Sequence, residues 1–468
     1  MPPLLLLSLL IGFDALLATP AIAESHSTSL RAPLHRSLPP LGAATRLDYV
    51  RELVKSDLLR QRMIAGTIGG HRYRQPRRAC ENATTAAAES FAMPLSSGAY
   101  THTGQYFVRF RLGTPARRFV LVADTGSDLT WVKCRFSPRR CRHCRGGGGG
   151  GGARPFRPEK SVSFDPIRCS TDLCKTSLPF SLSTCPSPAS PCAYNYGYAD
   201  GSMARGIYAT ESATVMLSNG QKVKLKGMII GCTSSFAGSS FRASDGVLGL
   251  GHSGISFASR VTARFGGRFS YCLVDHLSPK NVSSYLIFGS NGALAPSAAR
   301  QTELLMEPRL APFYSVGVSG ISVDGEVLKI PMSVWDVGRR GGAILDSGTS
   351  LTVLVEPAYK AVVSALSRRL AGVPRVDLDP FEYCYNWTDG TKVTIPKLVV
   401  HFHGPARLEP PAKSYVIDVA DGVKCIGFTS APWPGVSTIG NILQQEHLWE
   451  FDVKNRRLRF QRSTCAPH

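Results

Sequence analysis

One short segment of this chain occurs twice, once in each half. Residues 122–132 read VADTGSDLTWV and residues 344–354 read ILDSGTSLTVL. Asp, Gly, Leu and Thr match in register, Ser and Thr exchange beside them, and the aspartates Asp124 and Asp346 lie 222 residues apart. An internal repeat indicates two structurally related units. We therefore expect two lobes related by a pseudo-twofold axis.

The sequence around each copy of the repeat is typical of a β protein. Strand patterns occupy residues 105–112, 119–123, 314–318 and 321–328, and the last of these contains an Asp-Gly hairpin turn. Helical patterns are few, and residues 357–370 form the clearest one. We therefore expect a mainly β fold, with a hydrophobic fraction of 43% that is sufficient for a large core.

The repeated aspartates follow buried strands and precede a hydroxyl residue and a glycine. A single Asp-Thr-Gly of this kind is typical of an aspartate in a β-turn. Two copies aligned over nine positions favour a function for both aspartates. The glycine allows close approach of a second backbone, and the hydroxyl groups can orient a carboxylate by hydrogen bonding.

With these motifs, the chain resembles the pepsin-like aspartic proteases, and most closely their plant nepenthesin-like branch. The resemblance covers about residues 100–468. It includes both repeats, the YADGS of residues 198–202, the DGVLGLG of residues 245–251 and the STIGN of residues 437–441. It implies an all-β, bilobal fold with pseudo-twofold related lobes. The implied activity is endopeptidase cleavage of extended polypeptides at acidic pH.

The resemblance also implies a role for each matched side chain. Asp124 and Asp346 would form the catalytic pair, sharing one proton because two adjacent carboxylates do not both ionise readily. One would activate a water while the other protonates the peptide carbonyl, without a metal or an organic cofactor. The supporting residues would be Ser127 and Thr349 as hydrogen-bond donors to the outer carboxylate oxygens, Gly126 and Gly348 for close approach, Tyr198 as the flap tyrosine and Trp131 as its support.

Two positions depart from the family pattern. Asp128 stands where pepsin has Ser, and Ala199 follows the flap tyrosine where relatives usually have Gly. We expect an extra carboxylate near the pair to raise its pKa, and Ala199 to stiffen the flap.

The chain is expected to divide into four parts. Residues 1–23 contain an apolar run that ends in Ala-Ile-Ala, which predicts a signal peptide; a plastid transit peptide would be richer in Arg. Residues 24–95 form a basic prosegment with an amphipathic helix over 47–64, and we expect residues such as Lys55 to contact an acidic cleft. The N-terminal lobe then spans 96–305 and the C-terminal lobe 306–468. The apolar run is too short for a transmembrane anchor.

Thirteen cysteines in a chain with a secretory leader predict disulfides. Cys80 lies in the prosegment, so its removal leaves an even set of twelve, of which the resemblance implies a Cys384–Cys425 bridge. The spacing of Cys134, Cys141, His143 and Cys144 also fits a zinc knuckle, but in an oxidising compartment the same cysteines form disulfides. His401 and His403 lie on one face of a predicted strand, but they have no third ligand in view, so surface histidines are the simpler explanation. Glycosylation sequons begin at Asn82, Asn281 and Asn386.

The composition is strongly basic, with 54 Lys and Arg against 33 Asp and Glu, a net charge of +21 and a pI near 9.6. This charge favours anionic partners such as cell-wall polymers. The excess is spread along the chain, so specific nucleic-acid binding is not expected. We expect a secreted, apoplastic monomer, with the vacuole or plastid as the alternative location. The alternative functions are a non-catalytic binding or inhibitor protein on the same fold and a plastid nucleoid-associated protease.

Overall fold

A computed structural model describes most of the chain from residue 45 onward. The described residues are 45–70, 89–99, 103–136, 155–179, 181–182, 185–198, 202–238, 241–279, 281–289, 294, 299–388 and 393–465. All structural statements below concern these residues. The predicted signal peptide, Cys80, Asn82 and Ala199 lie outside them.

Twelve strands precede residue 306 in the described part of the chain. They are β1 (Phe91–Ser97), β2 (Tyr106–Leu112), β3 (Arg117–Asp124), β4 (Trp131–Lys133), β5 (Asp165–Pro166), β6 (Ala193–Gly197), β7 (Met203–Met216), β8 (Lys222–Ala237), β9 (Gly246–Gly249), β10 (Arg268–Cys272), β11 (Ser284–Phe288) and β12 (Arg300–Leu305).

Fifteen further strands follow in the second half. They are β13 (Tyr314–Val316), β14 (Val318–Val323), β15 (Glu326–Val327), β16 (Ala343–Asp346), β17 (Thr352–Val355), β18 (Arg375–Leu378), β19 (Phe381–Asn386), β20 (Leu398–Phe402), β21 (Arg407–Leu408), β22 (Val416–Ala420), β23 (Val423–Ile426), β24 (Phe428–Ala431), β25 (Ser437–Gly440), β26 (His447–Asp452) and β27 (Arg457–Arg462).

The described α-helices are α1 (Arg46–Gly70), α2 (Phe257–Thr262) and α3 (Glu356–Arg369). None of them is long and apolar enough to cross a membrane. The protein is therefore mainly β, as the sequence predicts. The helix predicted over 357–370 is α3, and Asp324 and Gly325 turn the β14–β15 hairpin with positive φ angles of 49° and 83°.

Most strands belong to one extended sheet of nineteen strands, and two four-stranded sheets complete the fold. The C-terminal strands β26 and β27 pair with β10 and β12, so the last segment of the chain connects the two halves. The main apolar core follows this sheet. It contains aromatic residues from both halves, including Phe269 and Phe451 stacked 4.8 Å apart.

The internal repeat corresponds to a repeated strand arrangement. In the first half, β3 runs parallel to β9, and β4 pairs with both β8 and β9. In the second half, β16 runs parallel to β25, and β17 pairs with both β24 and β25. The two copies of the repeat thus form the same local topology.

Ten cysteines of the described chain form five disulfides. The pairs are Cys134–Cys232, Cys169–Cys185, Cys174–Cys192, Cys272–Cys465 and Cys384–Cys425. Because the Cys134 sulfur is bonded to Cys232, the zinc-knuckle interpretation that used Cys134 is wrong. The described residues contain no cluster of His, Cys, Asp or Glu that could hold a metal ion.

Candidate active site

The two repeated aspartates end equivalent strands. Asp124 is the last residue of β3 and lies beside Gly249 of β9, while Asp346 ends β16 beside Gly440 of β25. Both side chains are buried. Apolar residues precede each aspartate in its strand, so strand burial carries the two carboxylates into the interior at matching positions.

The hydrogen bonds to the two carboxylates are equivalent. Ser127 Oγ donates to Asp124 Oδ2 at 2.6 Å, and Thr349 Oγ1 donates to Asp346 Oδ2 at 2.6 Å. The inner oxygens accept backbone hydrogen bonds, from Gly126 to Asp124 Oδ1 at 3.0 Å and from Gly348 to Asp346 Oδ1 at 2.9 Å. Each loop therefore fixes its own aspartate in the same orientation.

A reciprocal set of hydrogen bonds joins the two loops. The Thr125 N–H donates to Ser347 Oγ at 3.0 Å, and the Ser347 N–H donates to Thr125 Oγ1 at 2.9 Å. Ser347 Oγ also donates to the Ala123 carbonyl at 2.9 Å. These bonds hold the two halves of the site in register.

The two glycines lie against the opposite aspartates. A Cβ atom placed on Gly126 would lie 2.5 Å from Asp346 Oδ1, and one on Gly348 would lie still closer to Asp124 Oδ1. Real Cβ atoms do not approach oxygen this closely, so only glycine allows the two loops to meet at this separation.

Arg60, from helix α1, occupies the space between the two carboxylates. Its Nη2 donates to Asp124 Oδ1 at 2.7 Å and to Asp346 Oδ1 at 2.9 Å, and its Nε donates to Asp346 Oδ2 at 2.6 Å. Arg60 is 8% exposed. A planar guanidinium suits this multidentate contact with carboxylates. Lys55, the predicted contact residue, is exposed; the prediction that it contacts the cleft is therefore wrong.

The charges at this site affect one another. Burial raises the pKa of the Asp124 carboxyl, Arg60 lowers it and Asp346 raises it, so that the pKa lies above its ordinary value. Burial lowers the pKa of Arg60, but attraction to Asp124 and Asp346 outweighs burial and raises it. Arg60 therefore stays charged, and only the carboxylates can change protonation state.

Two neighbours of Arg60 on α1 also bind the second catalytic loop and its partner strand. Asp57 accepts the Ser350 N–H at 2.9 Å and the Leu351 N–H at 2.6 Å. Gln61 donates to the Val436 carbonyl at 2.5 Å and accepts from Thr438 Oγ1 at 2.9 Å. Burial is the largest influence on Asp57, and it raises the pKa of that carboxyl to about 7.

The apolar residues of α1 continue the same helix face. At positions 57, 60, 61 and 64 the spacing is i, i+3, i+4, i+7, which places these side chains on one side. On the N-terminal side of Arg60, four buried residues pack near Leu351, Phe381, Ile417, Val419 and Ile442; they are Tyr49, Val50, Leu53 and Val54. On the other side, Ile64 is buried with Leu310, Phe313, Ile344 and Val436. Helix α1 thus fills the cleft on both sides of the aspartates.

The predicted flap residues lie beside the first catalytic loop. Trp131 Nε1 donates a hydrogen bond to the Tyr198 hydroxyl, and Phe241 packs edge-on against both rings. Asp128 accepts a hydrogen bond from the Tyr196 hydroxyl at 2.8 Å. The effect of Asp128 on the pKa of the catalytic pair stays a prediction; the largest influences on the pKa of Asp124 are burial, Arg60, Asp346, Ser127 and Gly126.

The remaining predicted residues lie away from the aspartates. Asn281 and Asn386 are exposed, as glycosylation sites must be. A hydrogen bond of 2.7 Å joins His401 Nε2 in strand β20 to Ser322 Oγ in the neighbouring strand β14.

Two family models and several known proteins match this chain. Residues 106–290 match the family model described as "Xylanase inhibitor N-terminal", and residues 313–462 match "Xylanase inhibitor C-terminal". The chain is 36% identical over 383 residues to aspartyl protease family protein 2 of Arabidopsis thaliana, covering 80% of this chain and 74% of the relative. It is 30% identical over 455 residues to aspartic proteinase nepenthesin-2 of Nepenthes gracilis, covering 95% of each. The chain belongs to the pepsin-like aspartic protease family.

Solved structures support the fold of this pepsin-like chain. The crystal structure of edgp superposes with a TM-score of 0.64 at 19% identity, covering 82% of this chain and 97% of that one. Basic 7S globulin from soybean superposes with a TM-score of 0.60 at 18% identity, covering 81% and 97%. At these identities the likeness concerns the fold alone.

Sequence reasoning missed three polar residues of this pepsin-like site, namely Asp57, Arg60 and Gln61. A signal for them exists in the sequence. All three fall on the helix face that carries Val50 and Val54, where an amphipathic helix would have apolar side chains. Polar residues on a face that must be buried indicate buried polar partners elsewhere in the fold.

Proposed function

We propose that this protein is an aspartic-type endopeptidase in which Asp124 and Asp346 activate a water molecule. The observation that carries the proposal is the pair of buried carboxylates with matched hydrogen bonds from Ser127 and Thr349. Curated relatives named as aspartic proteases support the same activity.

The geometry suits general acid–base catalysis. The ionised carboxylate takes a proton from water, the water oxygen adds to the peptide carbonyl carbon, and the protonated carboxyl donates its proton to the carbonyl oxygen. The resulting diol then breaks its C–N bond. One diol hydroxyl returns a proton to the carboxylate as the other carboxyl protonates the leaving nitrogen. The pair ends with one shared proton, as it began.

The experiment is peptide cleavage by the acid-activated protein and by Asp124→Asn and Asp346→Asn. Each substitution keeps the side-chain shape but removes the proton transfer, so the rate should fall at least about a thousandfold, within the range of general acid–base contributions. A statine-type hydroxyl analogue should inhibit, and a metal chelator should not. Cleavage that survives both substitutions would exclude the mechanism. A wild-type protein that folds but cleaves nothing would instead favour a binding or inhibitor protein on this fold.

We further propose that the chain is made as a zymogen, with α1 as the inhibitory part of the prosegment. With Arg60 hydrogen-bonded to oxygens of both aspartates, neither a water nor a peptide carbonyl can take its place between them. Asp57, Gln61 and Ile64 hold the same helix face in the cleft. Activity therefore requires α1 to leave. We place the cleavage between α1 and β1, upstream of the boundary expected at residue 95, because β1 begins at Phe91 and pairs with β2 and β11 within the main sheet.

Arg60→Ala tests the zymogen proposal, and Arg62→Ala is its matched control, because Arg62 is an exposed arginine on the same helix. Removing Arg60 leaves two buried carboxylates without their cation, which strongly weakens docking of α1. We expect the Arg60 variant to process itself and cleave substrate at a higher pH than the wild type, and the Arg62 variant to behave like the wild type. Equal activation of all three proteins would exclude a blocking role for Arg60.

Secretion is the third part of the proposal. The apolar segment within residues 1–23, the five disulfides and the exposed Asn281 and Asn386 sequons support passage through an oxidising compartment. The net charge of +21 is suited to anionic cell-wall polymers as partners. A fluorescent fusion of residues 1–95 distinguishes secretory entry from plastid import. Mass spectrometry of the secreted protein then gives the mature N-terminus and the occupied sequons.

A further inference from the structure

Hydrogen bonds between side chains join the first catalytic loop to the flap hairpin formed by β6 and β7. Trp131 donates to the hydroxyl of Tyr198, and Asp128 accepts from the hydroxyl of Tyr196 at 2.8 Å. Tyr196 and Tyr198 are two residues apart on an extended segment, so their side chains lie on the same face. The loop that carries Asp124 is thus bonded to two successive side chains on one face of the flap.

The Asp128 contact is buried and well packed. Asp128 is 1% exposed and Tyr196 is 3% exposed. The rings of Tyr196 and Tyr198 lie 4.9 Å apart, and Tyr198 packs on Phe241 at 5.0 Å. A hydroxyl that donates to a carboxylate makes a strong, charge-assisted hydrogen bond, and burial keeps water from replacing it.

We propose that Asp128 is a positioning residue for catalysis, which holds the flap hairpin over the substrate cleft by accepting the hydrogen bond of Tyr196. This inference rests on the proposed endopeptidase function. Asp128 acts through Tyr196 and the adjoining Tyr198, while the neighbouring Ser127 binds Asp124 itself. Two consecutive residues of one loop therefore have different roles. Ser127 orients the catalytic carboxylate, and Asp128 holds the flap over the substrate.

Loss of the Asp128 contact should affect binding more than chemistry. Without it, the Trp131 contact and a long hydrogen bond of 3.5 Å from the Asp128 N–H to the Tyr196 hydroxyl remain. The flap is then held less firmly, so the hairpin opens more often and the bound substrate is held less well. The hydrogen bonds at Asp124 remain, so the chemical step is preserved. The expected signature is a raised KM with a nearly unchanged kcat.

The same strand contains a matched control. Tyr194 lies two residues before Tyr196, is equally buried, and its hydroxyl forms a 2.7 Å hydrogen bond with Thr233 Oγ1 of β8. Tyr194→Phe therefore removes a buried tyrosine hydroxyl from β6 without touching the catalytic loop. A purely structural role for these tyrosines predicts the same behaviour for Tyr194→Phe and Tyr196→Phe.

The test measures kcat and KM of the activated protein for Asp128→Ala, Tyr196→Phe, the double variant and Tyr194→Phe. We expect KM to rise about tenfold in Asp128→Ala and Tyr196→Phe, as for loss of a hydrogen bond to a charged group, with kcat within about twofold. The double variant should be no worse than Tyr196→Phe alone, because loss of the Tyr196 hydroxyl already breaks the contact that Asp128→Ala removes. Additive effects, or an equal rise in KM for Tyr194→Phe, would overturn the proposal.

Hydrogen exchange gives a readout that needs no activity. In the unprocessed chain, peptides covering β6 should exchange faster in Asp128→Ala and Tyr196→Phe than in Tyr194→Phe, and Asp128→Asn, which keeps an acceptor oxygen, should lie between the wild type and Asp128→Ala. Unchanged exchange in Asp128→Ala would overturn the positioning role. If the wild type cleaves no peptide, the endopeptidase proposal fails on its own, and the exchange rates still decide whether Asp128 holds the flap.

Discussion

The two catalytic loops are alike at their aspartates and differ just beyond them. In both loops a hydroxyl three residues after the aspartate binds its outer oxygen, and a glycine N–H binds its inner oxygen. Four residues after the aspartate, the first loop has Asp128 and the second has Ser350. Asp128 binds Tyr196 of the flap by its side chain, whereas Ser350 binds Asp57 of α1 by its backbone N–H.

This difference shows where the pseudo-twofold symmetry is required. The residues that hydrogen-bond the two carboxylates are equivalent in the two loops, because both aspartates must be held in matching orientations. Residues further along the two loops contact different segments that lie over the site. The first loop contacts the flap hairpin, and the second contacts helix α1. Seven residues after each aspartate the two loops differ again. Trp131 binds the flap tyrosine, whereas Val353 is buried in strand β17.

Among the changes that compare the two loops, the largest effect is expected in the symmetric part. A Cβ on Gly126 would lie 2.5 Å from Asp346 Oδ1, and a Cβ on Gly348 would press on Asp124 in the same way. We expect Gly126→Ala and Gly348→Ala each to lower kcat/KM by about a hundredfold, as displacements of this size do. The measurement is steady-state kinetics, with circular dichroism to verify folding. If one variant keeps activity within threefold of the wild type, the two loops are not equivalent at the aspartates.

A smaller effect is expected at the outer oxygens. Ser127 and Thr349 each donate at 2.6 Å to one carboxylate, so Ser127→Ala and Thr349→Ala should lower kcat by similar factors of about ten. The Ser127 hydrogen bond lowers the pKa of Asp124. Its loss should therefore move the acid limb of the pH–rate profile of Ser127→Ala to higher pH. Unequal losses of kcat in the two variants would show that the two aspartates do not contribute equally to catalysis.

The sequence predicts the symmetric part of the site well, for a physical reason. Asp124 and Ser127, like Asp346 and Thr349, are three residues apart, so local turn geometry brings them together. The strands β3 and β16 were predictable from their apolar runs, and the repeat indicated that they are equivalent. Proximity of the two aspartates followed from the resemblance to a family, since nothing local relates residues 222 apart.

Helix α1 and the flap hairpin, which lie over the site, are harder to predict because their positions depend on long-range contacts. The sequence predicted a helix over 47–64 and a basic prosegment, but it offered several cations, and Lys55 was the wrong choice. Arg60 meets Asp346 across 286 residues of chain, and only the helix register identifies it. Asp128 departs from the family pattern, but its partner Tyr196 lies 68 residues away, so nothing local in the sequence indicates this contact.

The smallest expected effect concerns the pH at which α1 leaves the second loop. In the docked state burial raises the pKa of Asp124 and Arg60 lowers it. We expect the loss of Arg60 on release to outweigh the gain of water at this carboxyl, so that the pKa rises, protons are taken up and acid favours release. Asp57 acts in the opposite direction. Burial raises its docked pKa to about 7, above the roughly 3.9 of a free aspartate. Docking therefore takes up a proton at Asp57, and its contribution to docking strengthens as the pH falls from about 7 to about 4.

Asp57→Asn replaces one of the two carboxylate oxygens that accept the Ser350 and Leu351 N–H groups, and it keeps the side chain in the neutral form that docking favours. Above about pH 4 the second change strengthens docking by more than the lost acceptor weakens it, so the pH of half-maximal processing should fall by about half a unit to one unit. Lys55→Gln is the control, because Lys55 is exposed on the same helix and its loss should leave the midpoint unchanged. Processing is followed on gels from pH 7 to pH 3. A midpoint that moves to higher pH in Asp57→Asn would mean that protonation of Asp57 releases α1 rather than favouring its docking.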